Sequence, residues 1–118
     1  MSEETYLGKI EISPRAIASL AAQAVLESYG VVGMANRNLR DGVSELLTRN
    51  HSRRGIDVNF IDRQIVIDLY VIIQHGTRIS EVAHGIMSRI KFTVEKALGI
   101  RVIQVNVHVQ GLHVDAKS

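Results

Sequence analysis

The stretch "VIIQHGTRISEVAHG", residues 71–85, places His75 and His84 on either side of a Gly-Thr pair. A metal clip, a phosphate cradle at a helix start, or plain punctuation between two elements would each look like this. A helical ligand pair needs i, i+4 spacing on one face plus a third donor, and the sequence nearby supplies neither. One glycine ahead of a helix offers a few amides to an anion, but no Walker pattern, lysine or second glycine follows. The stretch therefore reads as a strand ending at His75, a turn, and a helix with Ser80 at its N-cap and Glu81 in its first turn. His84 then falls on the polar helix face.

Asp57, Asp68 and His108 are expected on one open sheet face, where acid and imidazole form a recurrent catalytic pairing. Alternating strands also need polar residues pointing outward, and Asp, Asn, Gln and His meet that need. Ser13 and Ser80 are explained by caps, and no G-x-S-x-G elbow is present. With no cysteine in the chain, thiolate nucleophiles, thiolate zinc sites and disulfides are excluded together. No catalytic residue, cofactor-binding residue or metal ligand is assigned, and the chain is expected not to be an enzyme.

Charge is localised. Arg37, Arg40, Arg49, Arg53 and Arg54 stand against Asp41 and Glu45, so residues 37–54 carry +3 in a chain whose formal net charge is +2. Such a patch can attract anionic lipid, nucleic acid or an acidic protein, or can be a solvated loop. No aromatic residue is interleaved to stack on bases, so nucleic acid is not the expected partner. Tyr70 is the one aromatic expected on the open sheet face, and the basic-aromatic signature of RNA-recognition modules is missing.

The elements that position these residues follow from periodicity. "YLGKIEIS" alternates, with Ile10 and Ile12 on one face, and leads into a helix start in which Ser13 caps and Pro14 takes the first position. This first helix should run to about Tyr29, with Gly30 as its stop. Ile17, Leu20, Ala21, Ala24 and Val25 form its core stripe, while Ala18, Ala22, Leu26 and Tyr29 make a second apolar row that something should cover. The amphipathic "LRDGVSELL" or another chain could do so.

"YGVVGMA" could add a short strand, and "IDVNF", "DRQ" and "IVIDLYVIIQ" read as a hairpin. A second helix over about 81–98 puts Val82, Ala83, Ile86, Met87, Ile90, Val94, Ala97 and Leu98 on one face and ends at Gly99. Its polar face carries Phe92, an exposed aromatic that calls for a partner. In the last strand Ile103, Val105, Val107 and Val109 are expected toward the core, with Gln104, Asn106, His108 and Gln110 toward water.

Both helices follow an Ile-Ser pair and end in glycine before valine-rich sequence, a weak internal duplication. The reading is one domain over 1–118, an α+β two-layer sandwich with a β-α-β-β-α-β pseudo-repeat and helices on one face of a mostly antiparallel sheet. Its core spans about 5–112, a short helical insertion occupies about 36–55, and 113–118 form a flexible tail. At 118 residues, 46% of them hydrophobic, the chain can build such a core unaided. "MSEETYLGKI" lacks the basic start and apolar run of a signal peptide, and no apolar stretch approaches spanning length.

"YGVVGMA", "HGTRISEVAHGIMSRIKFTVEKALGI" and "VIQVNVHVQGL", in this order and spacing, resemble the alkaline shock protein family, the small envelope stress response proteins of Gram-positive bacteria. The similarity runs from "GKIEIS" to "VQGL" and is to the short housekeeping-type members. It implies a cytoplasmic protein of cell-envelope homeostasis, in some cases held at the inner face of the membrane by an anchored partner, with no established catalytic residues and no cofactor.

The expected function is therefore that of a non-enzymatic interaction or scaffold protein, a homo-oligomer or one that docks on a membrane-anchored partner. Candidate contacts are Leu26, Tyr29, Tyr70, Gly85 and Phe92. The alternative is peripheral binding of anionic lipid or nucleic acid through the five arginines.

Overall fold

The computed structural model describes residues 2–35 and 55–114. The elements are β1 (Ser2–Thr5), β2 (Gly8–Glu11), α1 (Pro14–Leu26), β3 (Val31–Met34), β4 (Ile56–Ile61), β5 (Gln64–Gln74), α2 (Ile79–Leu98) and β6 (Val102–His113). This is an α+β two-layer sandwich.

β5 organises the sheet. Along one edge it pairs antiparallel first with β4, over Gln64 to Leu69, and then with β3, over Val71 to Ile73. Along the other edge it pairs parallel with β6. Two of the three pairings are antiparallel, and the parallel one needs α2 as its crossover. The β4–β5 turn is two residues long, and Asp62 and Arg63 both take positive φ, 47° and 64°. That is the backbone whose twist matches a tight hairpin.

Alternation decides what is buried. Ile65, Ile67, Leu69, Val71 and Ile73 of β5 all face the helices with no exposed surface. Ile17, Ala21 and Val25 of α1 and Val82, Ile86, Ile90 and Val94 of α2 close the core over them. Each of the larger side chains stabilises the fold by ~1.5–3 kcal/mol relative to exposure. α1 lies over β3 and β4, and α2 lies over β6.

Four local features differ from the sequence expectations. The strand "GKIE" does not join the main sheet: β2 pairs with β1, and Ile10 is exposed. Thr5 holds the β1–β2 turn, its Oγ1 accepting from Leu7 N at 3.2 Å. α1 ends at Leu26 with Glu27 as C-cap, and Gly30 (φ 87°) sits three residues beyond that cap. α2 starts at Ile79, so the N-cap is Arg78 and Ser80 lies inside the first turn. In β6 an extra residue at Ile103 shifts the register, so that Val102 takes the core position opposite Ile65 and Ile103 turns outward.

At Tyr70 the shared edge passes from one partner strand to the next. Ala35 N donates to Tyr70 O and Tyr70 N donates to Gly55 O, both at 2.8 Å. A Cβ on Gly55 would lie 2.8 Å from the carbonyl oxygens of Ala35 and Tyr70, so this close approach excludes side chains. The chain thus leaves the sheet at Ala35 and returns beside it at Gly55. The helical insertion expected over about 36–55 lies outside the described residues, apart from Gly55 itself.

Candidate interaction surface

Two surfaces gather the candidate residues. The first is the outer helix layer, where Gly30 sets the geometry. A Cβ there would meet Val82 Cγ2 at 2.8 Å, so the turn after α1 approaches the first turns of α2 closely. Between them lies a concavity of about 700 Å³ whose lining includes Glu27, Tyr29, Arg78, Glu81, Gly85 and Arg89.

Glu81, Gly85 and Arg89 recur every four residues and so share one stripe of α2. Gly85 opens this stripe, since a Cβ there would touch nothing within 4 Å. Phe92 follows two turns after Gly85, 65% exposed, with Lys96 Nζ 5.4 Å from its ring centroid. Across the groove Tyr29 is 84% exposed, and Leu26, the last residue of α1, is 54% exposed.

The second apolar row of α1 is thus split. Ala18 and Ala22 are buried within the chain, where α1 packs on α2, while Leu26 and Tyr29 stay exposed. Tyr29 and Gly85 line the same groove, and Phe92 continues its α2 wall.

The second surface is the sheet face away from the helices. Asp57, Asp68 and His108 do fall there together, around a polar concavity of about 540 Å³ that Asn59 and Tyr70 also line. Asp68 stands opposite Asp57 on β4 and opposite Asn106 on β6. Its Oδ1 accepts from Asn106 Nδ2 and from His108 Nε2, each at 3.1 Å. The carboxylate only accepts, so the imidazole tautomer that fits carries its proton on Nε2.

The His108 ring stacks on Tyr70, with centroids 4.6 Å apart and planes 12° from parallel. Tyr70 is consequently 9% exposed and offers little free ring. It lies on the opposite side of the sheet from Tyr29 and Phe92, so the five candidate contacts do not form one surface.

The histidines of the opening stretch are separate. His75 follows β5 and its N–H donates to His113 O at 2.9 Å, whereas His84 is exposed on α2. Among the described residues no three His, Cys, Asp or Glu side chains converge as a metal site, and no helix is long and apolar enough to cross a membrane. The five arginines at 37, 40, 49, 53 and 54 lie outside the described residues.

Sequence reasoning missed Arg78, Glu81 and Arg89 as groove residues, although the i, i+4, i+8 spacing around Gly85 carried the signal. It also missed Asn106 as a partner of Asp68. Nothing local could have paired residues 38 apart without the β5–β6 register.

Comparison with known proteins agrees with this architecture. A MamM chain superposes with a TM-score of 0.52 at 14% identity, covering 86% of this chain and 99% of that one. A second MamM C-terminal domain chain gives 0.50 at 13%, over 82% and 96%. At such identities the likeness concerns the fold alone.

Sequence relatives are nearer. The protein YloU of Bacillus subtilis is 43% identical over 111 residues, 93% of this chain and 92% of that one. A Streptococcus pyogenes protein, Spy1614, is 37% identical over 91% of this chain and 89% of its own. YqhY of Bacillus subtilis is 32% identical over 98% and 85%. The model of the alkaline shock protein 23 family, described by a cell envelope-related function, matches residues 2–114. With nearly the whole described chain matched, the protein belongs to that family.

Proposed function

We propose that the chain is a non-enzymatic interaction protein of cell-envelope homeostasis, held at the inner face of the membrane by docking on a membrane-anchored protein and also self-associating. The observation that carries this reading is the exposed apolar surface of the helix layer, where Tyr29 lines the groove opened by Gly85 and Leu26 and Phe92 stand exposed on α1 and α2. Exposed aromatic and aliphatic side chains beside a concavity suit a protein contact, because their burial supplies most of the association energy.

Two further points favour an anchored protein as the occupant. The family is envelope-related. Arg78 and Arg89 beside Glu27 and Glu81 give the groove both signs of charge, which suits a protein segment better than a uniformly anionic lipid surface.

Fractionation of cells expressing tagged chain tests the proposal. The wild type should sediment with membranes, and Tyr29→Ala combined with Phe92→Ala should move it to the supernatant while its far-UV circular dichroism stays unchanged. A folded double variant that stays on the membrane would remove this surface from the mechanism.

A further inference from the structure

β6 is twelve residues long and forms one edge of the sheet. Its inner side pairs with β5, and its outer side makes no backbone pairing among the described residues. An unpaired edge of this kind is a template for another strand, and proteins usually protect it with charge, proline or a very short strand. From Val102 to Val114 there is no Asp, Glu, Lys, Arg or Pro. Only the two register shifts, at Ile103 and Gln110, interrupt the edge.

Packing points the same way. On β5 the helix-facing residues Ile67, Leu69 and Val71 are completely buried. Their neighbours on β6, Val105, Val107 and Val109, are not: the first two are half-buried and Val109 is 36% exposed. The apolar row continues past the strand that should end it.

We infer that the β6 edge pairs antiparallel with β6 of a second copy of this chain, across a two-fold axis at Asn106. The inference deepens the self-association part of the proposed function and rests on that reading. The absence of formal charge favours a second copy as the occupant. A strand without formal charges meets itself with no like-charge opposition, apart from His108, which falls opposite Gln104. Centring on a residue keeps the two faces in phase, so Val105 meets Val107, Gln104 meets His108, and Asn106 meets itself. The two sheets then become one continuous sheet.

The absence of cysteine makes the test direct. Residues opposite themselves across an antiparallel pair have Cα atoms ~4.5–5.5 Å apart, within the range a disulfide spans. Residue 104 is displaced from its mate by four positions, roughly 14 Å at ~3.4 Å per residue, which is out of reach. Under mild oxidation Asn106→Cys should become a covalent dimer, whereas Gln104→Cys and the helix-face control Ser88→Cys should not.

In sedimentation velocity the wild type should show twice the chain mass, and Asn106→Lys, which sets two ammonium groups face to face on the axis, should return it to one. Three results would overturn the inference: a wild type that stays monomeric across a wide concentration range, cross-linking equal at 104 and 106, or a folded Asn106→Lys variant that remains dimeric. If Asn106→Lys fails to fold, the cysteine pair decides alone. Membrane sedimentation of Asn106→Lys separates the two proposals, because loss of edge pairing leaves helix-groove docking intact.

Discussion

Gly30 and Val82 fix the two helices at one end of the molecule: a Cβ on the glycine would lie 2.8 Å from Cγ2 and 3.3 Å from Cγ1 of the valine. The same residue holds φ at 87° and its carbonyl accepts from Gln74 N at 2.9 Å, so it joins the end of α1, the start of α2 and the end of β5. Gly30→Ala therefore meets two costs, the left-handed backbone at ~1–2 kcal/mol and a contact that displaces Val82. A total loss of about 2–4 kcal/mol is expected in urea unfolding, as a lower midpoint with unchanged slope. Gly85→Ala, where a Cβ meets nothing within 4 Å, should leave stability unchanged or raise it by up to ~1 kcal/mol through helix propensity.

The aromatic residues should divide by burial. Tyr70 is nearly covered and stacked on His108, so Tyr70→Ala should cost ~3–5 kcal/mol in the same measurement, as large aromatic truncations in cores do. Tyr29→Ala and Phe92→Ala remove exposed rings and should each stay within about 0.5 kcal/mol of the wild type. The reverse pattern would move the interaction surface from the helix layer to the sheet.

Much of the architecture was legible because it follows from short-range periodicity. The buried stripe of α2 and the strict alternation of β5 are written in residues two to four apart, and the cap at Ser13 in adjacent ones. What was not legible depended on register or on competition between long-range partners. Ile10 alternates as a half-buried strand should, but its strand pairs with the polar segment Ser2–Thr5, which carries no hydrophobic signal. Ile103 continues the period of Val105 and Val107, and only the extra residue opposite β5 turns it outward. Of the candidate site, the exposure of Phe92 could be read from helical phase, whereas the row of Leu26 and Tyr29 includes buried Ala18 and Ala22 and α1 ends before Tyr29. That Tyr29 and Gly85 share a groove required knowing that the helices meet at Gly30.

The two Ile-Ser helix starts should respond differently to the same change. Ser13 caps α1, its side chain accepting from Ala16 N at 3.1 Å, whereas α2 has Arg78 at its N-cap with no side-chain cap bond. Ser13→Ala should cost about 1 kcal/mol, and Ser80→Ala should change stability by less than ~0.5 kcal/mol. Equal losses from the two substitutions would mean that Ser80 does cap α2 in solution.

Glu95 offers a test of how α2 secures the strand that follows it. Its Oε2 accepts from Val102 N at 2.9 Å, across the turn at Gly99, which ends the helix in the left-handed conformation with φ 69°. This bond fixes the first residue of β6 and seats Val102 in the core opposite Ile65. Glu95→Ala leaves that amide without its acceptor and should cost ~1–2 kcal/mol, while Glu95→Gln keeps a carbonyl oxygen in place and should lose less than half as much. Amide hydrogen exchange reads the effect locally: the Val102 N–H should exchange faster in Glu95→Ala than in Glu95→Gln, with the amides of β4 unchanged. Uniform acceleration across the sheet would show instead that the bond contributes only to global stability.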